Sequence, residues 1–412
     1  MNPLDPPSDT PSIAETLNSV GVVEVLNAFA PSFFVAFIVT LLVTPLVRKL
    51  AIALGVIDQP GGRKIHTEPI AYLGGLAVFI GIMAGILSAA FVEAPLDQYR
   101  SVPISVVFGL IVIFITGVGD DMFGWDPRLK IAGQMMAAAA LAVENVGVQV
   151  AAGVLNPILG GGDTQLFFFP GVDWVLSSHI YAIVGTGLVA TMVLGGCNAA
   201  NLLDGLDGLL SGVTAIALIG LALIGIMLLP EAGGDSVEAS QSVAVARIVL
   251  AAVGLGALLG FLPHNFNPAT IFLGDAGSLM LGYLVVAIIL MLGDRGQTHV
   301  VLAGLMVFTV PILDTFMAIV RRRLSGKRMS DPDSDHIHHQ LKRSLGGVKP
   351  AVLTLYGIAA FFASLGVLLA WLDVSTELRG RVVYAGALVV FCSIVTYAIK
   401  VARRRAIPLK AS

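Results

Sequence analysis

Runs of about 18 or more apolar residues recur along this 412-residue chain, separated by short polar stretches. No other feature limits the fold as strongly. Wound into a helix, a run of that length matches the hydrocarbon thickness of a bilayer. Within lipid, each backbone N–H and C=O must be satisfied inside the protein, which a helix does unaided. Charged residues make up 12% of the chain, against about 25% in a soluble domain. A chain so poor in charge cannot wet an ordinary globular surface. This excludes a soluble enzyme, a disordered protein and a nucleic-acid binder with a basic face.

Hydropathy places about eleven spans, near 32–51, 71–92, 102–119, 131–146, 178–197, 207–229, 243–262, 269–292, 299–320, 351–372 and 381–400. The expected class is an all-α polytopic integral membrane protein. An external segment at 1–31 precedes a single transmembrane domain at 32–402, and a basic tail follows at 403–412. No cleaved signal peptide is expected, because residues 1–28 are polar and acidic. Of the 24 lysines and arginines, 19 fall on one set of connections and the tail, and 5 on the other. The positive-inside rule makes the richer side cytoplasmic, with the N-terminus outside and the C-terminus inside. The connection at about 147–177 reads as a small external hairpin, with Val146–Val150 and Gln165–Phe169 flanking Gly160-Gly161-Gly162. The small-residue pairs Gly81/Gly85 and Gly256/Gly260 suit close helix packing in lipid. Cys197 and Cys392 lie in apolar context and indicate neither a disulfide framework nor a metal cluster.

Carboxylates in or beside spans are costly and mark function by default. Here they gather on the basic side. Asp120 and Asp121 close the third span, Asp204 and Asp207 open the sixth, Asp275 lies inside the eighth and Asp314 in the inner half of the ninth. The loop that follows carries His336, His338 and His339. Adjacent carboxylates such as Asp120 and Asp121 call for a cation or a raised pKa in a poorly hydrated site. Asp204 and Asp207 share a helical face. Gly205 and Gly208 allow close approach to the backbone, and the helix N-terminus beside them suits a phosphate. Magnesium favours one or two carboxylates together with phosphate oxygens. The histidines could hold zinc, form a basic surface loop, or bind phosphates and orient a substrate. Together these features indicate phosphate chemistry on a lipid at the inner face. A cation-coupled transporter is the alternative from another class, and it would show acids at several depths and related halves.

The motifs Gly119-Asp120-Asp121, Asn198-Ala199-Ala200-Asn201-Leu202-Leu203-Asp204-Gly205-Leu206-Asp207-Gly208, Phe272-Leu273-Gly274-Asp275-Ala276-Gly277-Ser278 and His336-Ile337-His338-His339 occur in that order. With Arg63-Lys64-Ile65-His66-Thr67 and Leu73-Gly74-Gly75, they resemble the polyprenyl-phosphate N-acetylhexosamine-1-phosphate transferases. The resemblance is to the bacterial branch that uses UDP-GlcNAc and undecaprenyl phosphate in O-antigen, teichoic-acid and related cell-envelope glycan synthesis.

This resemblance implies transfer of a sugar-1-phosphate from a UDP-sugar to a polyprenyl phosphate, with release of UMP. It also implies a requirement for Mg2+, for which Mn2+ can substitute, and a location in the bacterial inner membrane with the site on the cytoplasmic face. UDP-MurNAc-pentapeptide or another UDP-N-acetylhexosamine is the alternative donor, and a homodimer is a further expectation. Carried over by position, Asp275 matches the magnesium-binding aspartate. Asp120 and Asp121 match the pair that activates the lipid phosphate or helps hold the metal, and His336 joins them as a catalytic candidate. Lys64, His66, Asn201, Asp204, Asp207, Asn265, His338 and His339 match substrate-binding positions, with Asn265 near the uracil. Ala71-Tyr72 and Asp335 depart from the common pattern and bear on sugar choice. Direct displacement and a covalent aspartyl intermediate both stay open.

Overall fold

The computed structural model describes residues 22–59, 69–91, 102–159, 176–229, 237–294, 296–324, 336–375 and scattered positions between 385 and 400. Nearly all of the regular structure is helical. Among the described residues, seven helices are long and apolar enough to cross a membrane. An eighth crossing is made if Thr298–Val307 and Thr309–Arg323, which meet at 81°, count as one broken span. Gly74–Ala89 is apolar but shorter, and Pro127–Val143 has only 17 residues. The region expected to form the last span, 381–400, lies mostly outside the described residues.

The fold is organised around helix α9, Gly274–Met291, in which every residue except Asp275 is buried. Apolar character on all sides of this helix is the signature of a bundle centre. The outer helix α1, Val22–Ala53, instead exposes Phe34, Ile38, Leu42 and Leu46 at four-residue spacing. That stripe is what a lipid-facing helix surface requires. The small-residue pairs lie at helix contacts. A methyl group at Gly81 would overlap Thr40, and one at Gly256 or Gly260 would overlap the carbonyl of Phe33 or Phe37. Without these side chains, helices α2 (Gly74–Ala89) and α8 (Val237–Asn265) can lie directly against the backbone of α1.

The expected external hairpin is not what forms in its first half. Turns occupy 144–149, and Val150–Leu159 is helix α5. The second half lies outside the described residues. The helix wins because it buries Val150 and Ala151 and seats Gly153 against Gly296 and Thr298, which an exposed strand would not do. Arg247, grouped with the outer connections by sequence, is 3% exposed within α8. It donates to the carbonyls of Gly225 and Met291, near the C-terminal ends of two helices whose dipoles favour a cation.

A short antiparallel pair, β1 (Ile57–Asp58) and β2 (Ile70–Ala71), ties the chain to the start of α9. Phe272 N–H donates to Ala71 O at 2.9 Å, Gly74 N–H to Phe272 O at 2.8 Å, and Gly75 N–H to Leu273 O at 2.8 Å. The 73–75 and 272–278 motifs, some 200 residues apart in sequence, are thus interlocked by backbone hydrogen bonds.

Candidate active site

Helix α3, Ile104–Phe123, ends in the adjacent carboxylates Asp120 and Asp121. Successive residues on a helix point about 100° apart, so the two face different partners. Asp121 turns to the N-terminus of α9, where its oxygens accept the backbone N–H of Asp275 at 2.7 Å and of Ala276 at 3.0 Å. Free N–H groups at a helix start need such an acceptor, and here a carboxylate from another helix supplies it. Gly274, at φ +72°, makes the approach possible, since a methyl group there would lie 2.5 Å from Asp121 Oδ2.

Asp120 faces Lys130 in the first turn of α4, Pro127–Val143. Lys130 Nζ lies 2.6 Å from Asp120 Oδ2 and 2.6 Å from Asp275 Oδ2. The other oxygen of Asp275 accepts from Asn201 Nδ2 at 2.8 Å, and the same amide reaches Ser278 Oγ at 2.9 Å. Two sequence-distant groups, Lys130 and Asn201, therefore meet on the Asp275 carboxylate, and the lysine joins it to Asp120. Lys130 was not singled out from the sequence, although a signal existed: a cation in a first helical turn opposes the helix dipole, so it needs local acids.

Helix α6, Leu176–Leu203, gives way to the turn carrying Asp204 and Asp207, and α7, Leu209–Met227, follows. The two aspartates do different work. Asp207 Oδ2 accepts from Asn267 Nδ2 at 2.7 Å and Ala269 N–H at 3.0 Å, which holds the loop before the 272–278 motif. Asp204 accepts no hydrogen bond from a described residue. Burial, then the charges of Asp275, Asp121 and Asp207, push its pKa up to about 8. Asn265 is 3% exposed; its amide oxygen accepts from Ser211 and its nitrogen donates to Ile271 O. Its amide thus has partners within the protein on both sides. Tyr72, just after β2, lies among the acids. Its phenol is driven upward in pKa by burial and then by Asp204, Asp275 and Asp121.

The histidine motif closes the site from the other side. His338 is 1% exposed and packs on Gly205, where a methyl group would overlap its Nε2. The close approach that Gly205 permits is therefore to a histidine of the same chain. Asp314 Oδ2 lies 3.0 Å from His336 Nδ1 and 3.4 Å from His338 Nδ1. These three ligand atoms all fall within 4.8 Å of one another. His339 is held neutral, with a pKa lowered to about 4 by burial, then by His338, His336, Lys342 and Arg343. Lys64 and His66 lie outside the described residues.

Two donor sets can thus be distinguished. The carboxylates Asp120 and Asp275 are hard oxygen donors of the kind magnesium takes, and the ammonium drawn into contact with both shows how strongly this pair attracts positive charge. The Asp314 cluster offers nitrogen and oxygen.

Residues 103–293 match glycosyl transferase family 4. The chain is 33% identical over 340 residues to a probable undecaprenyl-phosphate N-acetylglucosaminyl 1-phosphate transferase of Bacillus subtilis (strain 168), covering 82% of this chain and 84% of the relative. It is 34% identical over 358 residues to the decaprenyl-phosphate N-acetylglucosaminephosphotransferase of Mycobacterium tuberculosis (strain CDC 1551 / Oshkosh), covering 82% and 83%. It is also 30% identical over 344 residues to a phospho-N-acetylmuramoyl-pentapeptide-transferase of Bacillus cytotoxicus, covering 82% and 94%.

Proposed function

The chain belongs to the polyprenyl-phosphate N-acetylhexosamine-1-phosphate transferases of glycosyl transferase family 4, and on that premise we propose that it transfers GlcNAc-1-phosphate from UDP-GlcNAc to undecaprenyl phosphate. UMP is released, and the reaction takes place at the cytoplasmic face of a bacterial inner membrane, in a chain of about eleven spans. The observation that carries this reading is the convergence of Asp120, Lys130, Asn201 and Asp275 within hydrogen-bond distance, beside Asp204 and the histidine loop. Distant motifs meet at one end of the bundle, as a site for two phosphorylated substrates requires.

In the proposed reaction, an oxygen of the lipid phosphate attacks the phosphorus that bears the sugar. The bond from that phosphorus to the oxygen bridging toward uridine breaks, and UMP leaves with the electron pair. One pyrophosphate is exchanged for another, so the step is nearly balanced. Phosphoryl transfer asks the protein mainly for positioning and charge neutralisation. Asp275 and Asp120 are the residues that would hold magnesium, or manganese in its place. When bound, that ion supplies neutralisation of phosphate charge. Lys130 holds the carboxylate pair together and carries a positive charge at the same place. Asn201 fixes the rotamer of Asp275, and Asp121 fixes the helix start on which Asp275 rides. The histidine loop flanks the side of the site on which the donor's phosphates would lie.

The test is incubation of the purified protein with labelled UDP-GlcNAc, magnesium and undecaprenyl phosphate. UMP should appear only when all three are present. Release of UDP instead would mean ordinary glycosyl transfer and would refute this reading. Replacing UDP-GlcNAc by UDP-MurNAc-pentapeptide separates the two donors named among the relatives.

A further inference from the structure

We propose that Asp314 is a positioning residue that sets the proton-bearing nitrogen and the orientation of His336, and so shapes the histidine side of the site. The inference rests on the transferase reading for the role of His336.

Asp314 lies on helix α11, Thr309–Leu324, and is 1% exposed. A carboxylate buried there is expensive unless donors surround it. Two nitrogens hydrogen-bond it and a third lies close by. Ile337 N–H donates to Oδ1 at 2.7 Å, and His336 Nδ1 lies 3.0 Å from Oδ2. His338 Nδ1 approaches Oδ2 at 3.4 Å, without hydrogen-bond geometry.

The chemistry of these contacts is one-sided. An ionised carboxylate can only accept, so the Nδ1 of His336 that faces it carries the proton. In the neutral ring, Nε2 is then left as the acceptor. The same carboxylate does a second job. His336 occupies the N-cap position of α12, Ile337–Leu345, yet makes no capping bond with its own side chain. The first free N–H of that helix is satisfied by Asp314 instead. One side chain therefore fixes both the helix start and the ring that precedes it.

The effect extends to the neighbouring turn. The His336 and His338 rings stack at 5.4 Å with 14° between planes, and His338 rests on Gly205 beside Asp204. Displacing Asp314 would loosen the histidine face of the same pocket without touching Asp120, Lys130 or Asp275.

The test uses the full-length protein. In Asp314→Asn one acceptor oxygen becomes an NH2 donor, which favours the opposite tautomer of His336. Turnover should fall about 10- to 100-fold, the usual cost of losing a partner that orients a functional histidine. The magnesium midpoint should not move. Asp314→Glu, which keeps the acceptor, should recover part of the loss. The double variant Asp314→Asn/His336→Ala should be no slower than His336→Ala alone, because both changes remove one function. Losses that multiply in the double variant would make Asp314 a general structural residue and overturn the inference. So would wild-type turnover in both Asp314 variants. One tightly held transition-metal ion per chain, lost in Asp314→Asn, would make the trio a metal centre and also overturn it. A wild-type protein that releases no UMP from any UDP-N-acetylhexosamine would bring down the transferase reading itself, and this inference with it.

Discussion

Substitution of Lys130 by methionine separates the two cations that can serve the carboxylate pair. Methionine keeps most of the length of the side chain and removes the charge. In the folded protein, Lys130 Nζ sits 2.6 Å from an oxygen of Asp120 and 2.6 Å from an oxygen of Asp275. A metal ion approaching the same oxygens has to displace it. Hydrogen bonds to charged groups contribute about 1.5–3 kcal/mol each when both partners are well buried. The side chains here are 24% and 17% exposed, so water screens them and the lower end applies. A competition of about 1.4 kcal/mol corresponds to a tenfold change in affinity. Lys130→Met is therefore expected to lower the magnesium midpoint about tenfold while reducing turnover, since a positive charge beside the reacting phosphates is lost. Midpoints come from UMP release at saturating UDP-sugar and lipid phosphate, and manganese binding followed by electron paramagnetic resonance gives the affinity without catalysis. A midpoint that stays put or rises in Lys130→Met would show that the lysine does not compete with the metal, and the argument would fail.

Asp275→Asn should abolish turnover and raise the magnesium midpoint most, and Asp120→Asn should raise it less, since Asp275 is also held by Asn201; magnesium titrations of both variants check this, and an unchanged midpoint in either variant would remove that residue from the metal site. Gly205→Ala places a methyl group on His338, and overpacking of this kind costs about 1–3 kcal/mol; lower thermal stability together with reduced turnover is expected, and unchanged values would mean that the His338 contact is dispensable. Asp204, with a pKa raised to about 8 from 3.8, holds a proton in the folded metal-free protein that the unfolded chain has already lost. Its contribution to stability is full below pH 3.8 and is lost as pH rises through 8, so metal-free thermal stability should decline between about pH 4 and 8, by about 1 kcal/mol per unit in the middle of that window, and level off above it, with a component absent in Asp204→Asn. A cysteine introduced at Gly161 should react with an impermeant thiol reagent on intact cells and one at Ser334 should not; the reverse pattern would overturn the orientation derived from the basic residues.

The helical membrane class was legible from the chain alone, because a period of apolar residues and the scarcity of charge are local properties. Expected spans such as 102–119, 207–229 and 243–262 are helices Ile104–Phe123, Leu209–Met227 and Val237–Asn265. The small-residue pairs Gly81/Gly85 and Gly256/Gly260 likewise lie at helix contacts. The motifs that carry the family were also visible, since each is a short contiguous string. The division of labour inside them was not. Asp120 and Asp121 are neighbours in sequence, yet one meets Lys130 and the other caps a helix that begins 153 residues later. Asp204 and Asp207 share a motif, yet Asp207 holds a loop while Asp204 accepts no hydrogen bond from a described residue. Lys130 gained its significance, and Asp314 its partner, only from groups 145 and 22 residues away. The segment at 150–159, expected as part of an external hairpin, became a helix because Gly153 and Val150 found α10, Thr298–Val307, and the residues before it to pack against. Local pattern fixes what a residue can be, since propensity and solvation act over a few neighbours. Which acid binds, which caps and which orients depends on the groups that folding brings within three ångströms, and these come from distant parts of the chain.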